Sequence, residues 1–568
     1  MTVAQALAAV HRQIMWTRLI AVVEEQARTL VRTSFSTAVR EAGDLSAGVF
    51  DLQGRMLAQA VTGTPGHVNT MAIAVQGFLK KFPAAIMKKG DAYITNDPWL
   101  ASGHLHDITV VAPAFYRGKL VAFFASVIHL VDVGGRGMGP DARQVFEEGI
   151  AIPMMPLVRG ERLNADLLEI LLANTREPTQ VEGDVHAVLT ASAEGERRLV
   201  EMLEEFAIDD LEELGVYIIE QSYKATLDII RTLKPGVYSN KMTVDGYGVP
   251  ITLRATCTIE PDRIKVDWAG TSPMSRFGIN VVEPYTTAYT CFGLRCALAP
   301  EIPNNYGSLS PFEVTAPPGS ILHAVRPAPV AARHIIGLML PDVVFGCLEQ
   351  VLPGGVQAEG GLMWNPYVRG TRLPDGSHKA WESFFFSNGG TGARPTKDGM
   401  SATAFPAGTR SVQVEAAEMV APVIILKKEL RTDSGGAGRY RGGLGQTIHI
   451  SSRSPGSFSV QAMFDRIDHP ALGRSGGQPG AVGACHLLSG AAIAGMGLQE
   501  IPEGGILVLE LPGGAGHGDP RERDPELLRQ DIANGYVTEQ SAARLYSEAT
   551  PSGTRDEQPA YDHPGVAR

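Results

Sequence analysis

Cysteine is scarce in this sequence of 568 residues. The chain has five cysteines, an odd number, and no two of them form a Cys-x-x-Cys pair. This pattern excludes a disulfide framework and indicates thiols that stay reduced, so we expect a cytoplasmic protein. The N-terminal segment also lacks the charged leader, apolar core and small-residue cleavage site of a secretory signal.

Long apolar runs and basic runs are absent as well. No apolar stretch reaches the roughly 18 residues of a membrane span, so we expect no membrane association. The formal net charge is −11 and positive charge is not clustered, which argues against a nucleic-acid partner. Hydrophobic residues make up 44% of the chain and charged residues 20%, as in an ordinary globular protein with a large core.

The usual phosphate-binding loops are missing too. The sequence contains no GxxxxGK[ST] motif, and no GxGxxG motif opens a helix after a strand. It contains no GxSxG nucleophile motif either. Glycine is abundant at 63 residues, and the loop 433–443 places Arg439 and Arg441 among glycines. That loop could hold an anion, but tight turns between strands explain it better, so we expect no ATP site in this chain alone.

The segment 96–135 carries the clearest chemical signal. Residues 108–115 and 120–128 read as two apolar strands, and Arg117-Gly118 reads as the two-residue turn of a β-hairpin. That turn predicts that His106 faces His129 across the strands. Facing residues lie roughly 5 Å apart at Cβ, which suits shared binding of one ion.

His104, Asp107 and His129 are the predicted metal ligands of this hairpin. Two imidazoles and a carboxylate form a nitrogen and oxygen set suited to one divalent transition metal, Zn, Mn or Fe. His106 and Asp132 can supply second contacts that fix the ligand rings, although capping of the following glycine turn explains Asp132 better.

The identity of a fourth ligand stays open on spacing alone. Asp44 and Asp51 flank a short predicted strand, and His67 lies at the start of a predicted helix. Glu148 and Asp267 are acid/base candidates elsewhere, although a structural role explains each of them as well.

The hydrophobic periodicity predicts a mixed α/β (α+β) multidomain chain. It predicts an N-terminal α/β metal-binding region, a long helical middle and, after a further α/β region, a glycine-rich and β-rich C-terminal part. A helical unit with a disordered tail from about Thr550 follows. The predicted boundaries are 1–160, 161–235, 236–350, 351–523 and 524–568.

The order of motifs resembles the hydantoinase B/oxoprolinase family along nearly the whole chain. The matching segments include REAGDLSAGVFD (40–51), GTPGHVNTM (63–71), NDPWLASGHLHDITVVAPAF (96–115), HLVDVGG (129–135), EEGIAIP (147–153), VDWAGTS (266–272), NGGTGARPTKDG (388–399), ELRTDSGGAGRYRGGLG (429–445) and LPGGAGHGDPRERDP (511–525).

The resemblance implies that Asp44, His104, Asp107 and His129 hold the metal. The chain departs from the family's usual G-T-H-L-P-D motif, because it has His106 at the position where proline is common. It also has Ala42-Gly43 before Asp44, where the family commonly has an arginine. We predict His106 and Glu148 as catalytic residues.

The resemblance further implies a B-type catalytic subunit that works with a separate A-type subunit, which binds ATP and Mg, in a higher hetero-oligomer. The implied reaction is ATP-dependent ring opening of a cyclic amide, namely a hydantoin, 5-oxoproline or a lactam, through a phosphorylated carbonyl. The alternative is a component of an ATP-dependent ketone carboxylase of the acetone or acetophenone type. A third hypothesis is that the chain is a non-catalytic scaffold that holds the ATP-binding partner.

Overall fold

A computed structural model describes residues 3–61 and 63–547 of the chain. It is a mixed α/β multidomain structure with several separate sheets, which confirms the predicted fold class. The predicted disordered tail lies outside the described residues, and the predicted domain boundaries stay a prediction. Within the described part, no helix is both long and apolar enough to span a membrane.

A seven-stranded sheet near the N-terminus carries the hairpin. Its strand order is β2-β1-β5-β4-β3-β6-β7. The strands are β1 (Leu45–Phe50), β2 (Met56–Gln59), β3 (Ala92–Thr95), β4 (Asp107–Tyr116), β5 (Lys119–His129), β6 (Met155–Arg159) and β7 (Arg162–Leu163). The helices from this part of the chain are α1 (Val3–Thr33), α2 (Thr37–Arg40) and α3 (Pro65–Lys81).

This sheet is covered on both faces. α1 packs on one face together with α5 (Pro178–Glu205), and α3 packs on the other. Side chains alternate between the faces of a strand, so Phe124 and Ile128 of β5 join the core under α1, whereas Phe123 and Val127 join the core under α3. The same alternation places the last residue of β5 on the α3 face.

The hairpin has the predicted turn but a shifted register. Arg117 and Gly118 both have positive φ, 48° and 79°, as a type I′ turn requires, and Tyr116 pairs with Lys119. An irregularity between Ala114 and Phe115 then moves every later pair by one residue. Asp107 therefore pairs with His129, and the prediction that His106 faces His129 is wrong.

The helical middle of the chain agrees with its sequence pattern. It consists of α4 (Ala165–Ala173), α5 and α6 (Glu212–Ile230). A second sheet follows in the order β11-β10-β9-β8, beginning at Gly236 where the hydrophobic period changes. Its strands are β8 (Gly236–Val244), β9 (Ile251–Glu260), β10 (Arg263–Asp267) and β11 (Phe312–Thr315).

Four helices accompany the second sheet, and α10 packs directly against β8 and β9. They are α7 (Glu283–Leu298), α8 (Tyr306–Leu309), α9 (His334–Gly337) and α10 (Leu340–Leu348). The segment 334–348 forms two helices rather than one continuous helix, because the helix is interrupted between Gly337 and Leu340, just before Pro341.

The C-terminal part contains one two-stranded and two four-stranded sheets. The strands are β12 (Met363–Trp364), β13 (Tyr367–Arg372), β14 (His378–Phe384), β15 (Ser387–Asn388), β16 (Val423–Leu430), β17 (Gln446–Ser452), β18 (Phe458–Met463), β19 (Ala484–Leu487), β20 (Met496–Ile501) and β21 (Leu507–Glu510). The helices are α11 (Val414–Val420), α12 (Pro525–Ala533) and α13 (Glu539–Leu545).

Glycine segments fill the space among these sheets. We call them the glycine core; they are residues 358–362, 388–394, 434–445, 471–480 and 512–518. Their backbones bond to one another, as where Gly514 N donates to Gly443 O at 2.9 Å and Gly443 N donates to Thr391 O at 2.9 Å. A Cβ built on Gly390 would lie 1.8 Å from Gly443 O, so the close approach excludes side chains. The amides of Gly443 and Gly514 are thus occupied by protein carbonyls.

Candidate metal centre

The four predicted ligands, Asp44, His104, Asp107 and His129, lie close together beside the N-terminal end of α3. Asp107 begins β4 and His129 ends β5, and the observed register places them opposite each other on the α3 face. His104 lies in the loop before β4, and Asp44 directly precedes β1. All four residues are buried.

The ligand atoms of His104, Asp107 and His129 lie within 4.8 Å of one another. His104 Nε2 is 2.8 Å from Asp107 Oδ1, and His129 Nδ1 is 3.1 Å from the same oxygen. Asp44 is further out, with its Oδ2 3.9 Å from His129 Nδ1. The arrangement therefore has a compact trio and a carboxylate at its edge.

The chemistry of His104 tests whether the trio fits a cation. Its Nδ1 lies 3.0 Å from the carbonyl oxygen of Ala331, so Nδ1 carries the proton and Nε2 presents a lone pair. Burial, aided by the charge of Arg333, lowers the pKa of His104 to about 4, so its ring is neutral at pH 7. A lone pair then faces a carboxylate at 2.8 Å, which a metal ion beside both atoms would reconcile. The residues fit such an ion.

His67 joins the cluster from the first turn of α3. Its Nε2 is 2.9 Å from Asp107 Oδ2, and its Nδ1 is 3.7 Å from Asp44 Oδ1. Burial opposes the charge on this ring, but the carboxylates of Asp107 and Asp44 outweigh it and raise the pKa of His67. Asp51, the other candidate carboxylate, is not part of this cluster. It accepts a hydrogen bond from Arg55 Nε at 2.6 Å.

Arg333 contacts the same oxygen of Asp107 as His67 does. Its Nη2 donates to Asp107 Oδ2 at 2.6 Å and its Nε donates to Ser102 O at 2.6 Å, while its guanidinium stacks over the Tyr285 ring at 4.2 Å. Against the opposing effect of burial, His104, His67 and Arg333 hold the pKa of Asp107 well below its usual range. The carboxylate is therefore ionised and oriented.

His106 lies behind the ligands. Its ring stacks on that of His129 with centroids 5.4 Å apart, and the His129 ring stacks on Phe384 at 5.6 Å. Neither ring nitrogen of His106 has a hydrogen-bond partner among the described residues, and burial lowers the pKa of His106 well below 6.5. Its side chain packs against the ring of His129, and its catalytic role stays a prediction.

Glu148 supports the loop that contacts His104. Its Oε1 accepts from the backbone N–H groups of Val330 and Ala331 at 2.7 and 2.8 Å. Burial raises its pKa to about 8, so it is mostly protonated at pH 7. The carboxyl thus reaches His104 only through the Ala331 backbone, and a direct catalytic role for it stays a prediction.

The remaining candidate acids lie outside the cluster. Asp132 accepts from Gly134 N at 2.9 Å, as expected for a residue that caps the glycine turn, and also from Arg176 Nη2 at 2.9 Å. Asp267 is exposed and accepts from Thr315 Oγ1 at 3.2 Å.

A small cavity of about 30 Å³ adjoins the cluster. Its walls include Asp44, His67, His104 and His129 on one side and apolar side chains of the C-terminal part on the other. Arg333 and His334 also line the cavity and were not among the predicted site residues. A signal existed, because they are the only charged or histidine residues between Arg326 and Asp342.

Two solved structures share this fold. ATP-dependent caprolactamase from Pseudomonas jessenii matches with a TM-score of 0.83 at 25% identity, covering 95% of this chain and 96% of that one. A nucleotide-free acetone carboxylase also matches with a TM-score of 0.83, at 20% identity, covering 95% of this chain and 79% of that one. The fold is therefore the one found in these two ATP-dependent enzymes.

The family profile described as hydantoinase B/oxoprolinase matches residues 8–520. The B-type component of a putative D-/L-hydantoinase from a Pseudomonas species is 27% identical over 94% of this chain and 94% of its own length. The chain belongs to the hydantoinase B/oxoprolinase family, as the sequence motifs predicted.

Proposed function

We propose that this chain is the metal-binding, catalytic B-type subunit of an ATP-dependent cyclic-amide hydrolase. The observation that carries the proposal is the buried trio of His104, Asp107 and His129, in which a neutral imidazole turns its lone pair toward a carboxylate. Membership of the family, with relatives named as hydantoinase and caprolactamase, supports cyclic amides as the substrate class.

In this proposal His104, Asp107 and His129 hold one divalent transition metal, with Asp44 as the fourth ligand. When bound, the metal polarises a substrate carbonyl or orients water. His67 bridges Asp44 and Asp107, and Arg333 keeps Asp107 ionised. His106 backs the ring of His129, and Glu148 secures the loop behind His104.

The proposed reaction divides between two subunits. An A-type partner binds ATP with Mg and transfers the γ-phosphoryl group to the amide oxygen, leaving ADP. Water then adds to the activated carbon and the ring C–N bond breaks, which leaves an amine and an acyl phosphate. A second water hydrolyses the acyl phosphate to a carboxylate and phosphate. The substrate is a hydantoin, 5-oxoproline or a lactam.

A component of a ketone carboxylase is the second candidate, because acetone carboxylase has the same fold. The extent of the match favours the hydrolase, since the alignment covers 96% of the caprolactamase chain but 79% of the acetone carboxylase chain.

Elemental analysis of the complex with its A-type partner tests the site. We expect about one transition metal per chain, and we expect His104→Ala and His129→Ala to lose both the metal and turnover while the fold is kept. His323→Gln is the matched control, since His323 is a half-buried histidine that binds the carbonyl oxygen of Ala316 away from the cluster. Full activity in a metal-free complex would refute the site.

Turnover assays with hydantoins, lactams and aryl ketones test the reaction. We expect ADP release that depends on a cyclic amide and not on bicarbonate. Ketone turnover that requires bicarbonate would instead establish the carboxylase. Vigorous ATP hydrolysis by this chain alone would contradict the division between subunits.

A further inference from the structure

His334 is a buried histidine that is not among the proposed metal ligands. It is the first residue of α9, its exposure is 5%, and its ring lines the cavity beside His104 and His129. Among the described residues, neither ring nitrogen has a hydrogen-bond partner. Burying such a polar atom without a partner is unfavourable, so buried imidazoles normally have partners.

The other cavity histidines differ in this respect. His104 contacts Ala331 O through Nδ1, and His67 and His129 contact Asp107. His106 is equally unpartnered but does not line the cavity. His334 is thus the histidine that combines a wall position with two free ring nitrogens.

The neighbours of His334 define what it can bind. Arg333, which precedes it, is already engaged with Asp107 and Ser102. Burial, together with the charge of Arg333, lowers the pKa of His334 well below 6.5, so the ring is neutral and offers one N–H donor and one lone pair. Phe384, Phe386 and Leu338 give the same cavity an apolar wall. A polar donor beside an apolar wall suits a carbonyl group, and a cavity of about 30 Å³ has room for the carbonyl oxygen while the ring that carries it stays outside.

We propose that His334 is a substrate-binding residue that donates its ring N–H to the reacting carbonyl oxygen of a cyclic amide. A neutral imidazole can polarise a carbonyl in this way. The inference rests on the proposed function for its substrate class, whereas the unpartnered ring in the cavity wall is independent of it.

The test uses His334→Ala and His334→Gln in the complete complex with its A-type partner. Both variants should keep the metal content of the wild type, because His334 is not among the ligands. We expect kcat/KM for the cyclic amide to fall about 10²–10³-fold in His334→Ala, as when an oxyanion donor is removed. His334→Gln, which retains an N–H donor, should recover part of the loss, and added imidazole should partly rescue His334→Ala.

Binding measured by calorimetry separates this inference from the proposed function. We expect ε-caprolactam or hydantoin to bind His334→Ala about tenfold more weakly than it binds the wild type, with ATP left out. Binding that weakens in an enzyme with no amide hydrolysis would support His334 and refute the hydrolase. Unchanged binding and unchanged kcat/KM in a folded, metal-loaded His334→Ala protein would overturn the inference, as would activity loss that follows metal loss. His323→Gln again serves as the control.

Discussion

At the scale of single residues, two buried carboxyl groups that contact the segment 330–333 differ in charge. Asp107 is ionised, whereas Glu148 is mostly neutral at pH 7. Asp107 contacts His104, His67 and Arg333, and these groups hold its pKa well below the usual range despite complete burial. Glu148 receives only two backbone N–H groups, which do not offset its burial, so its pKa rises to about 8. Charged neighbours therefore decide which acid remains an anion.

Glu148→Gln should stabilise the protein more at high pH than at low pH. The folded-state pKa of about 8 lies above the ordinary value of 4.5, so the unfolded chain ionises first and the folded state loses stability from about pH 4.5 to pH 8. The amide removes this loss. We expect the free energy of unfolding of the variant, relative to the wild type, to increase by roughly 4 kcal/mol between pH 5 and pH 9 in urea titrations.

Glu147→Gln is the control, because Glu147 is adjacent in sequence and lies near the surface. An offset for Glu148→Gln that is the same at every pH would contradict the assignment of a protonated Glu148. The same variant tests catalysis, since a residue that only positions the Ala331 loop tolerates the amide whereas a residue that transfers protons does not.

At the scale of elements, the hairpin sets the spacing of the ligands through its turn and its irregularity. The two-residue turn fixes the pairing of Tyr116 with Lys119, and the shift between Ala114 and Phe115 then brings Asp107 opposite His129. A slip by one residue would move a side chain to the other face of the sheet. The irregularity therefore determines that Asp107, rather than His106, lies opposite His129.

Gly118→Ala should destabilise the protein by about 1 kcal/mol, because the φ of 79° disfavours a Cβ although nothing lies within 4 Å of it. Gly118→Asn should recover most of that loss, since asparagine tolerates positive φ. Equilibrium unfolding in urea measures both changes. Equal stability of the alanine and asparagine variants would contradict the type I′ geometry.

The sequence predicts the local parts of this architecture well. The hairpin, the long helices and the change to strands at Gly236 follow from hydrophobic period and turn residues, which act over short distances. The register shift was not predictable, because it depends on how the sheet packs against α3 and α5. Family resemblance selected Asp44, whereas Arg333 and His334 reach the site only through the tertiary fold.

At the scale of the whole molecule, the site needs three parts of the chain at once. The first sheet supplies the ligands, the segment before α10 supplies Arg333 and His334, and β14 supplies Phe384. β14 lies in the C-terminal part, which surrounds the glycine core. Disruption of that core should therefore impair the site from a distance.

Gly390→Ala should abolish proper folding of the C-terminal part, with a loss of more than about 4 kcal/mol, since its Cβ would meet the Gly443 backbone at 1.8 Å. Gly376→Ala is the matched control, because its Cβ meets nothing within 4 Å and only its φ of 83° costs about 1 kcal/mol. Soluble yield and the melting temperature compare the two. A Gly390→Ala protein as stable as Gly376→Ala would refute the close packing.

The glycine core also bears on how stability changes with temperature. Apolar surface that becomes exposed on unfolding raises the heat capacity, whereas polar surface that becomes exposed lowers it. The glycine core buries peptide groups bonded to one another rather than hydrocarbon side chains, unlike the seven-stranded sheet with its apolar faces. Its share of the heat-capacity change per residue is therefore smaller, so this region keeps its stability in the cold, where the apolar part of the molecule weakens.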